Sequence, residues 1–556
     1  MTWLDDRELR IGLGCMRLPP EQAAATVAAA ADAGVTVFDT ARAYEGNERL
    51  VVDALRACGA EKRARIVTKG GMGRDWVPDG RAKTVRADCE ASLGELDGLP
   101  IDLYLIHAPD PRTPWRTTLR ALVRLVDDGL VKHVGVANVN RRQLDEALEL
   151  APVSAVQVAM SLRDDRALRS GLLERCVETG VALIAHSPLG GPRAVRRLLR
   201  DQALVGVAAR RRSTPAEVAL AWLLDLSPHV VAIPGTRHPG AARSAAAAAR
   251  LRLEDDDVAA LRPARPRAET SAGAEVVLVM GIPGAGKSRL AESYAARGFR
   301  RLNRDELGGS LRKLAAVLDE ELSAGARAFV LDNTYLTRAE RSYAVEVAAR
   351  HGAAARCVWL DTPLAQAQVN LVERLLDRFG ALPTPEELRR ARGEAGLMLP
   401  TSQMRALREL EPPSLDEGFT AMEHLAFERA PSRGAPGVFV GAAALADPGW
   451  RRVVQEAAPA SPHLVFDWSP DGGTLDEMVT LLRSEVSGVV EGAVCPHPGG
   501  PPSCWCRPPL PGLPLAFARR HDIDASRSVL VGVTASHRTL ATTLGARYVS
   551  PPATTG

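Results

Sequence analysis

Three groups of residues in this 556-residue chain have the types and spacing to do chemistry. The first is Asp39, Tyr44, Lys69 and His107. A tyrosine with a pKa of about 10 is a poor proton donor at neutral pH, but a neighbouring ammonium lowers it. Lys69 is therefore expected to activate Tyr44, Asp39 to hold the lysine, and His107 to orient a substrate carbonyl. The second group is GIPGAGKS, 281–288, between an apolar run (EVVLVM, 275–280) and a helical pattern (RLAESYAARG, 289–298). Its spacing is G-x-x-x-x-G-K-S, a phosphate cradle. Gly281 starts the loop, and the amides of Gly284, Ala285 and Gly286 are expected to hold phosphates at the helix start. Lys287 reaches the β- and γ-phosphates and Ser288 ligates Mg²⁺, which gives ATP or GTP binding. The third group is Cys495, His497, Cys504 and Cys506 in CPHPGGPPSCWC, four soft ligands suited to a tetrahedral Zn²⁺.

The elements that must position these residues follow from the hydrophobic pattern. Residues 1–262 alternate eight β-rich runs with helical stretches: 10–14, 36–40, 64–69, 102–107, 133–138, 155–160, 181–187 and 230–235. Eight such units predict a (β/α)8 TIM barrel. Asp39, Lys69, His107, Asn138, Gln157 and Ser187 each fall at the C-terminal end of a run, the rim that holds the active site in such barrels.

Beyond 274 the pattern predicts a P-loop NTPase α/β/α domain over 275–430. Asp305, in LNRDEL just after a short strand, can take a proton from an acceptor hydroxyl. Arg374 and Arg378 are four apart on one helix. They can close over a transferring phosphoryl group as a lid, or form a solvated helix face. This segment has 21 Lys/Arg and 22 Asp/Glu, so it offers no long duplex groove. Arg297, Arg300, Arg301 and Arg304 can supply phosphate contacts at a strand end, or form a charged helix end.

The Pro/Gly-rich stretches 263–274 and 431–436 read as linkers, leaving 437–556 as a third, Rossmann-like domain. The whole is an α/β multidomain chain with a net charge of +3 and 46% hydrophobic residues. No apolar run is long enough to span a membrane, and the N-terminus shows no secretory pattern, so a cytoplasmic location and no membrane partner are expected. Eight cysteines in a chain of this length do not make a disulfide scaffold.

The motifs FDTARAYEGNE, VTKGG, LYLIHAPD, VGVAN, AVQV, AHSPLGG and AIPGT resemble the aldo-keto reductases, in order, over nearly all of 1–262. The resemblance implies Asp39, Tyr44, Lys69 and His107 as a catalytic tetrad. It implies NADPH as hydride donor to an aldehyde or ketone, with Asn138 and Gln157 on the nicotinamide carboxamide. Ser187, Gly235 and Thr236 fall at cofactor-contact positions, and Arg237 and Arg243 can bind a 2′-phosphate. The family's usual serine before the asparagine is Ala137 here, the ring under the nicotinamide is His186, and the adenine-gripping pair is Ser244-Ala245. A barrel kept as a scaffold or cofactor sensor is the alternative.

In 275–430, GIPGAGKS, NRDEL, VLDNT, VERLLDRFG and RALRELEPPSLDEGF resemble the polynucleotide 5′-kinases. This implies Asp305 as general base for a 5′-hydroxyl, Arg378 as the lid arginine, and Arg312 and Asp332 around the acceptor. The partners so implied are RNA or DNA 5′-OH ends and other nucleic-acid repair enzymes. A small-metabolite kinase beside a carbonyl reductase, or a nucleotide-sensing scaffold, are the alternatives. The stretch 495–537 resembles the histidinol-phosphate and heptose-bisphosphate phosphatases of the haloacid dehalogenase (HAD) superfamily. Here Pro508 stands for their lysine, Val533 and His537 stand for their acids, and GAAALADPG has no Asp-x-Asp pair. An inactive, zinc-bearing HAD-like domain is the expectation.

Overall fold

The apolar runs of the first half form eight parallel strands in a computed structural model that describes residues 3–5, 7–73, 76–110, 112–261, 273–391, 397–427, 434–471, 473–500 and 502–551. They are β1 (Gly12–Gly14), β2 (Val37–Asp39), β3 (Arg65–Gly70), β4 (Ile101–Ile106), β5 (Val131–Ala137), β6 (Val153–Ala159), β7 (Ala182–His186) and β8 (Val230–Ile233). They hydrogen-bond in sequence order, and bridges from Ile11 to Ala232 and Gly14 to Gly235 join the first strand to the last. Alternate side chains point inward, so Val67, Leu103, Leu105, Ile184 and Val231 fill the barrel and Trp3 packs with them. The outward set meets the amphipathic helices, several of them started by side-chain caps. Asn140 with Gln143, and Thr214 with Glu217, form reciprocal capping boxes. The alanine run after 241 is a plain helix, Pro239–Ala248.

The chain divides into two compact units, Met1–Arg267 and Ala268–Gly556. The second contains two five-stranded parallel sheets. One has β9 (Glu275–Met280), β10 (Arg300–Leu302), β11 (Ala328–Asp332), β12 (Ala354–Asp361) and β13 (Ala421–Ala426), in the order β10-β11-β9-β12-β13. The other has β14 (Val438–Gly441), β15 (His463–Trp468), β16 (Val490–Cys495), β17 (Val529–Val531) and β18 (Arg547–Val549), in the order β16-β15-β14-β17-β18. Each places its first strand centrally, so the loop leaving that strand opens where the connections diverge, the place where such sheets bind ligands. The expected linkers 263–274 and 431–436 lie largely outside the described residues.

The two sheets share one apolar core. Helix Leu364–Phe379, whose sequence puts Val369, Leu371, Val372, Leu375 and Leu376 on adjoining rows, packs them with Phe439, Trp505, Leu513 and Leu540 from the last third of the chain. The stretch 411–418 is tied down by Arg341. This fully buried guanidinium forms a two-pronged pair with Glu417 (2.6 and 2.7 Å) and also donates to the carbonyls of Tyr335 and Glu411. A buried charge is tolerated only when it is satisfied in this way.

Candidate active sites

At the barrel's C-terminal rim the structure brings Asp39, Tyr44, Lys69 and His107 together. The buried Lys69 ammonium sits 2.7 Å from Asp39 Oδ1 and donates to the Thr40 carbonyl at 2.8 Å. It also reaches the Tyr44 hydroxyl, with Nζ 5.2 Å from the ring centroid. Burial is the largest single influence and opposes the charge, but the attractions and hydrogen bonds of Asp39 and Tyr44 together outweigh it, so the Lys69 pKa is raised. Tyr44 departs from expectation. Lys69 does pull its pKa down, but burial is the larger effect and the Asp39 charge adds to it, so the phenol is held above its usual value. The resting group is thus a neutral proton donor rather than an activated phenolate. The His107 ring meets Tyr44 edge-on at 5.7 Å, and its buried Nδ1 has no hydrogen-bond partner among the described residues.

Burial, then the Lys69 charge, pushes His107 down to about 3 and His186 down to about 4. Both rings are neutral at physiological pH. An unfolded histidine takes a proton near pH 6.5, which the folded rings refuse. The stability this adds is fully present above about pH 6.5 and is lost as pH falls towards 4. Urea midpoints of the barrel should therefore decline across pH 6.5 to 4, and activity should show no histidine titration near 6.5.

Asn138 and Ser187 follow strand ends with φ of 55° and 52°. Non-glycine residues in the left-handed region at an active rim are a mark of functional constraint. Asn138 Nδ2 donates to the His107 carbonyl (2.9 Å), and its Oδ1 meets His186 Nε2 (3.2 Å). The Gln157 amide nitrogen is directed to Asp39 Oδ2 at 2.8 Å. This ties it into the tetrad rather than leaving that nitrogen for a cofactor. Thr236 Oγ1 is buried with no partner among the described residues, beside exposed Gly235 and Arg237 and just before the helix that carries exposed Arg243. Ser244 donates to Glu217 (2.6 Å), so its hydroxyl proton is committed within the fold. Trp76 was missed in the sequence. Half-exposed, with φ of 60°, it stands 5.9 Å from Tyr44 and 5.8 Å from His107 and walls the pocket. A lone tryptophan in the loop after Lys69 was the available signal.

In the second unit β9 runs into the loop 281–286, and Lys287 opens helix Lys287–Ala295, with Ser288 second. Gly284 has φ of 88°, and a Cβ there would lie 2.4 Å from the Ala367 carbonyl, so both conformation and space demand glycine. Lys287 donates to the carbonyls of Gly281 (3.0 Å) and Ile282 (3.1 Å). Burial lowers its pKa to about 8; Asp332 and Asp305 oppose that fall, and Arg374 adds to it. Lys287, Asp332, Asp305 and Arg374 thus share one electrostatic neighbourhood.

Asp332, at the end of β11, is buried and held by Arg301 (2.5 Å) and Asn303. Asp305 is exposed in the first turn of Arg304–Leu307, its amide capped by Asn303 at 2.7 Å. Arg378 is exposed, with its guanidinium 6.0 Å from the Phe379 ring, and of the two helix arginines Arg374 is the one whose charge acts on Lys287. Arg312 is exposed and lies 5.5 Å from the Tyr343 ring. The arginine cluster expected to meet phosphates is mostly engaged within the chain. Arg297 covers Tyr294 at 4.1 Å, Arg300 pairs with Glu321 at 2.7 Å, and Arg301 pairs with Asp332 and Glu306. Each of these three arginines has an acid or ring within reach in the fold, which the linear sequence does not show.

Cys495, His497, Cys504 and Cys506 converge, with all four ligand atoms within 4.8 Å of one another. The Cys495 sulfur lies 3.7 Å from Cys504 and 3.3 Å from Cys506, and His497 Nδ1 lies 3.1 Å from Cys506. At the end of β14 the chain continues through buried Ala442 and Ala444. There the His537 ring closes on Gly441, where a Cβ would approach it to 2.2 Å, and meets Phe466 edge-on at 5.4 Å.

Comparison with known proteins follows this division. The model of the aldo/keto reductase family matches residues 10–265, and an AAA domain model matches 276–392. An aldo-keto reductase of Glycine max is 32% identical over 267 residues, which are 41% of this chain and 77% of the relative. One from Strobilurus tenacellus is 30% identical over 263 residues, 42% of this chain and 78% of the relative. A solved aldo/keto reductase from Klebsiella pneumoniae, in complex with NADP and acetate, is 28% identical, covering 45% of this chain and 89% of that one with a TM-score of 0.41. Through residues 10–265, this chain belongs to the aldo/keto reductase family.

Proposed function

We propose that the barrel reduces an aldehyde or ketone with NADPH and that residues 275–430 transfer the γ-phosphoryl group of ATP to the 5′-hydroxyl end of an RNA or DNA strand. In the barrel, the buried Lys69–Asp39 pair at 2.7 Å beside a neutral Tyr44 carries the reading. When bound, NADPH supplies the hydride to the carbonyl carbon. Tyr44 gives its proton to the carbonyl oxygen, Lys69 stabilises the phenolate left behind, and neutral His107 donates a hydrogen bond to the same oxygen. The unpartnered Thr236 hydroxyl, with Arg237 and Arg243 nearby, suits a phosphorylated nucleotide.

For the second unit, the observation is that the charges of Asp332, Asp305 and Arg374 all act on Lys287, at the end of the glycine-rich loop. Asp305 accepts the proton of the acceptor hydroxyl as its oxygen bonds to the γ-phosphorus, and the bond to the β-phosphate oxygen breaks to release ADP. Lys287 and Arg374 meet the charge on the phosphoryl oxygens and Arg378 closes as the outer lid; Ser288 would hold Mg²⁺, which would supply further positive charge there. A second reading, a small-metabolite kinase, draws on the internal pairing of Arg297, Arg300 and Arg301, which leaves a small positive footprint. Labelled γ-phosphate from ATP decides between them. We expect label on 5′-OH oligonucleotides, lost in Asp305→Ala with ATP binding retained. Label only on sugars or nucleosides would replace the first reading by the second.

Residues 437–556 are proposed as a HAD-like phosphatase shape without its catalysis. The chain leaves β14 through Gly441, on which the His537 ring closes, and buried Ala442, with no aspartate where a nucleophile would stand. The four-ligand cluster suits Zn²⁺, because Zn–S bonds of about 2.3 Å give tetrahedral sulfur–sulfur edges of about 3.8 Å.

A further inference from the structure

Helix Leu364–Phe379 lies between two neighbours. On one side it grips the phosphate loop. Asn370 Nδ2 donates to the Gly284 carbonyl at 2.8 Å, and the Ala367 carbonyl is the atom that forbids a side chain at 284. On the other side Val369, Val372, Leu375 and Leu376 join Phe439, Trp505, Leu513 and Leu540 in one apolar core, with Asp377 paired to Arg519.

A second route starts at Trp505, between ligands Cys504 and Cys506 and only 1% exposed. Its indole nitrogen donates to the Met398 carbonyl, 107 residues away in sequence, at 2.8 Å. Helix Pro400–Glu409 begins two residues later, and its buried Gln403 donates to the Pro283 carbonyl at 3.0 Å. The carbonyls of 283 and 284 are thus both held by segments that rest on the core around Trp505. Peptide planes are rigid, so fixing these carbonyls fixes the direction of the amides that follow them in the loop.

We infer that Trp505 is a positioning residue of the phosphate cradle and that the C-terminal sheet, through the loop of four ligands, is a fixed support for the nucleotide site. A sheet whose first loop lacks catalytic acids then still has work to do for the neighbouring site. The inference rests on the reading of 281–288 as a nucleotide site but not on the identity of the acceptor.

The test uses the full chain as wild type, Trp505→Ala, Trp505→Phe and Lys287→Ala. ATP affinity is measured by equilibrium dialysis, and amide hydrogen exchange is followed over 281–286, 364–379 and 400–409. Trp505→Ala should weaken ATP binding by about 2- to 30-fold. It should also speed exchange in all three segments while β14–β18 and the barrel strands stay protected. Trp505→Phe keeps a ring in the core and loses the bond to Met398, so it should fall between wild type and alanine in affinity, with its extra exchange confined to 400–409 and 281–286. If the alanine variant loses protection across β14–β18, the phenylalanine variant decides. Wild-type ATP affinity together with unchanged exchange at 281–286 in the variant that decides would overturn the inference. If the wild-type chain itself binds no ATP, the nucleotide reading has failed, and exchange at 281–286 still decides the coupling.

Discussion

Tyr44→Phe will lower NADPH-dependent carbonyl reduction by about 10²- to 10⁴-fold, the usual contribution of a positioned acid. The phenol is the group at the barrel rim that is both neutral at pH 7 and within reach of the buried Lys69 ammonium. Removing its oxygen leaves the ring against Trp76 and His107, whose centroids are 5.9 and 5.7 Å away, so the pocket wall should stand. The loss should therefore appear in the rate of NADPH oxidation under saturating aldehyde, with NADPH affinity nearly unchanged. A variant that keeps more than a tenth of the wild-type rate would move the proton-donor role to His107. That alternative faces a physical obstacle. Burial and Lys69 hold His107 neutral down to about pH 3, and a neutral imidazole is a hydrogen-bond donor but a weak acid.

The second large effect concerns Lys287. Lys287→Ala should cut phosphoryl transfer by at least about 10²- to 10³-fold, the range for deleting one preorganised charge-stabilising donor. It should not unfold the unit. The loop keeps its glycine geometry and its bonds to Asn370 and Gln403, and the lysine's charge is disfavoured by burial in the nucleotide-free protein. The same burial gives a pH signature. With its pKa lowered to about 8, Lys287 is partly neutral at pH 8 to 9, whereas bound phosphates favour the ammonium. ATP binding should take up a proton in that range, and affinity should fall as pH rises above about 8. Isothermal titration in buffers of different ionisation enthalpy reads the proton directly. No uptake in wild type, or equal uptake in Lys287→Ala, would remove the lysine from the phosphates.

Much of this was legible in the chain because the signals are local. Strand and helix periods, Gly-Lys-Ser after a buried strand and the Cys-x-His/Cys-x-Cys spacing depend on neighbours a few residues away. Polar residues at or near the ends of β2, β3 and β6 and just past β4, β5 and β7 were readable because strand ends in a parallel barrel share one rim. The sequence by itself thus determined which residue types stand at the rim, which loop carries the G-x-x-x-x-G-K-S pattern and where four soft ligands gather.

What only the tertiary structure decided is set by sums over distant atoms. The sign of the Tyr44 pKa shift is a contest between burial, Lys69 and Asp39, and burial won, which no motif encodes. Whether Arg300 and Arg301 are open to a phosphate depended on Glu321, Asp332 and Glu306 lying beside them in space. The linker pattern around 431–436 marks a boundary before the last sheet, and only the fold shows that a helix with adjoining apolar rows packs into one core with residues of that sheet. Trp505 reads in the sequence as a spacer between two cysteines. Its bond to Met398 exists because folding closes a loop of 107 residues, a contact that local pattern cannot announce.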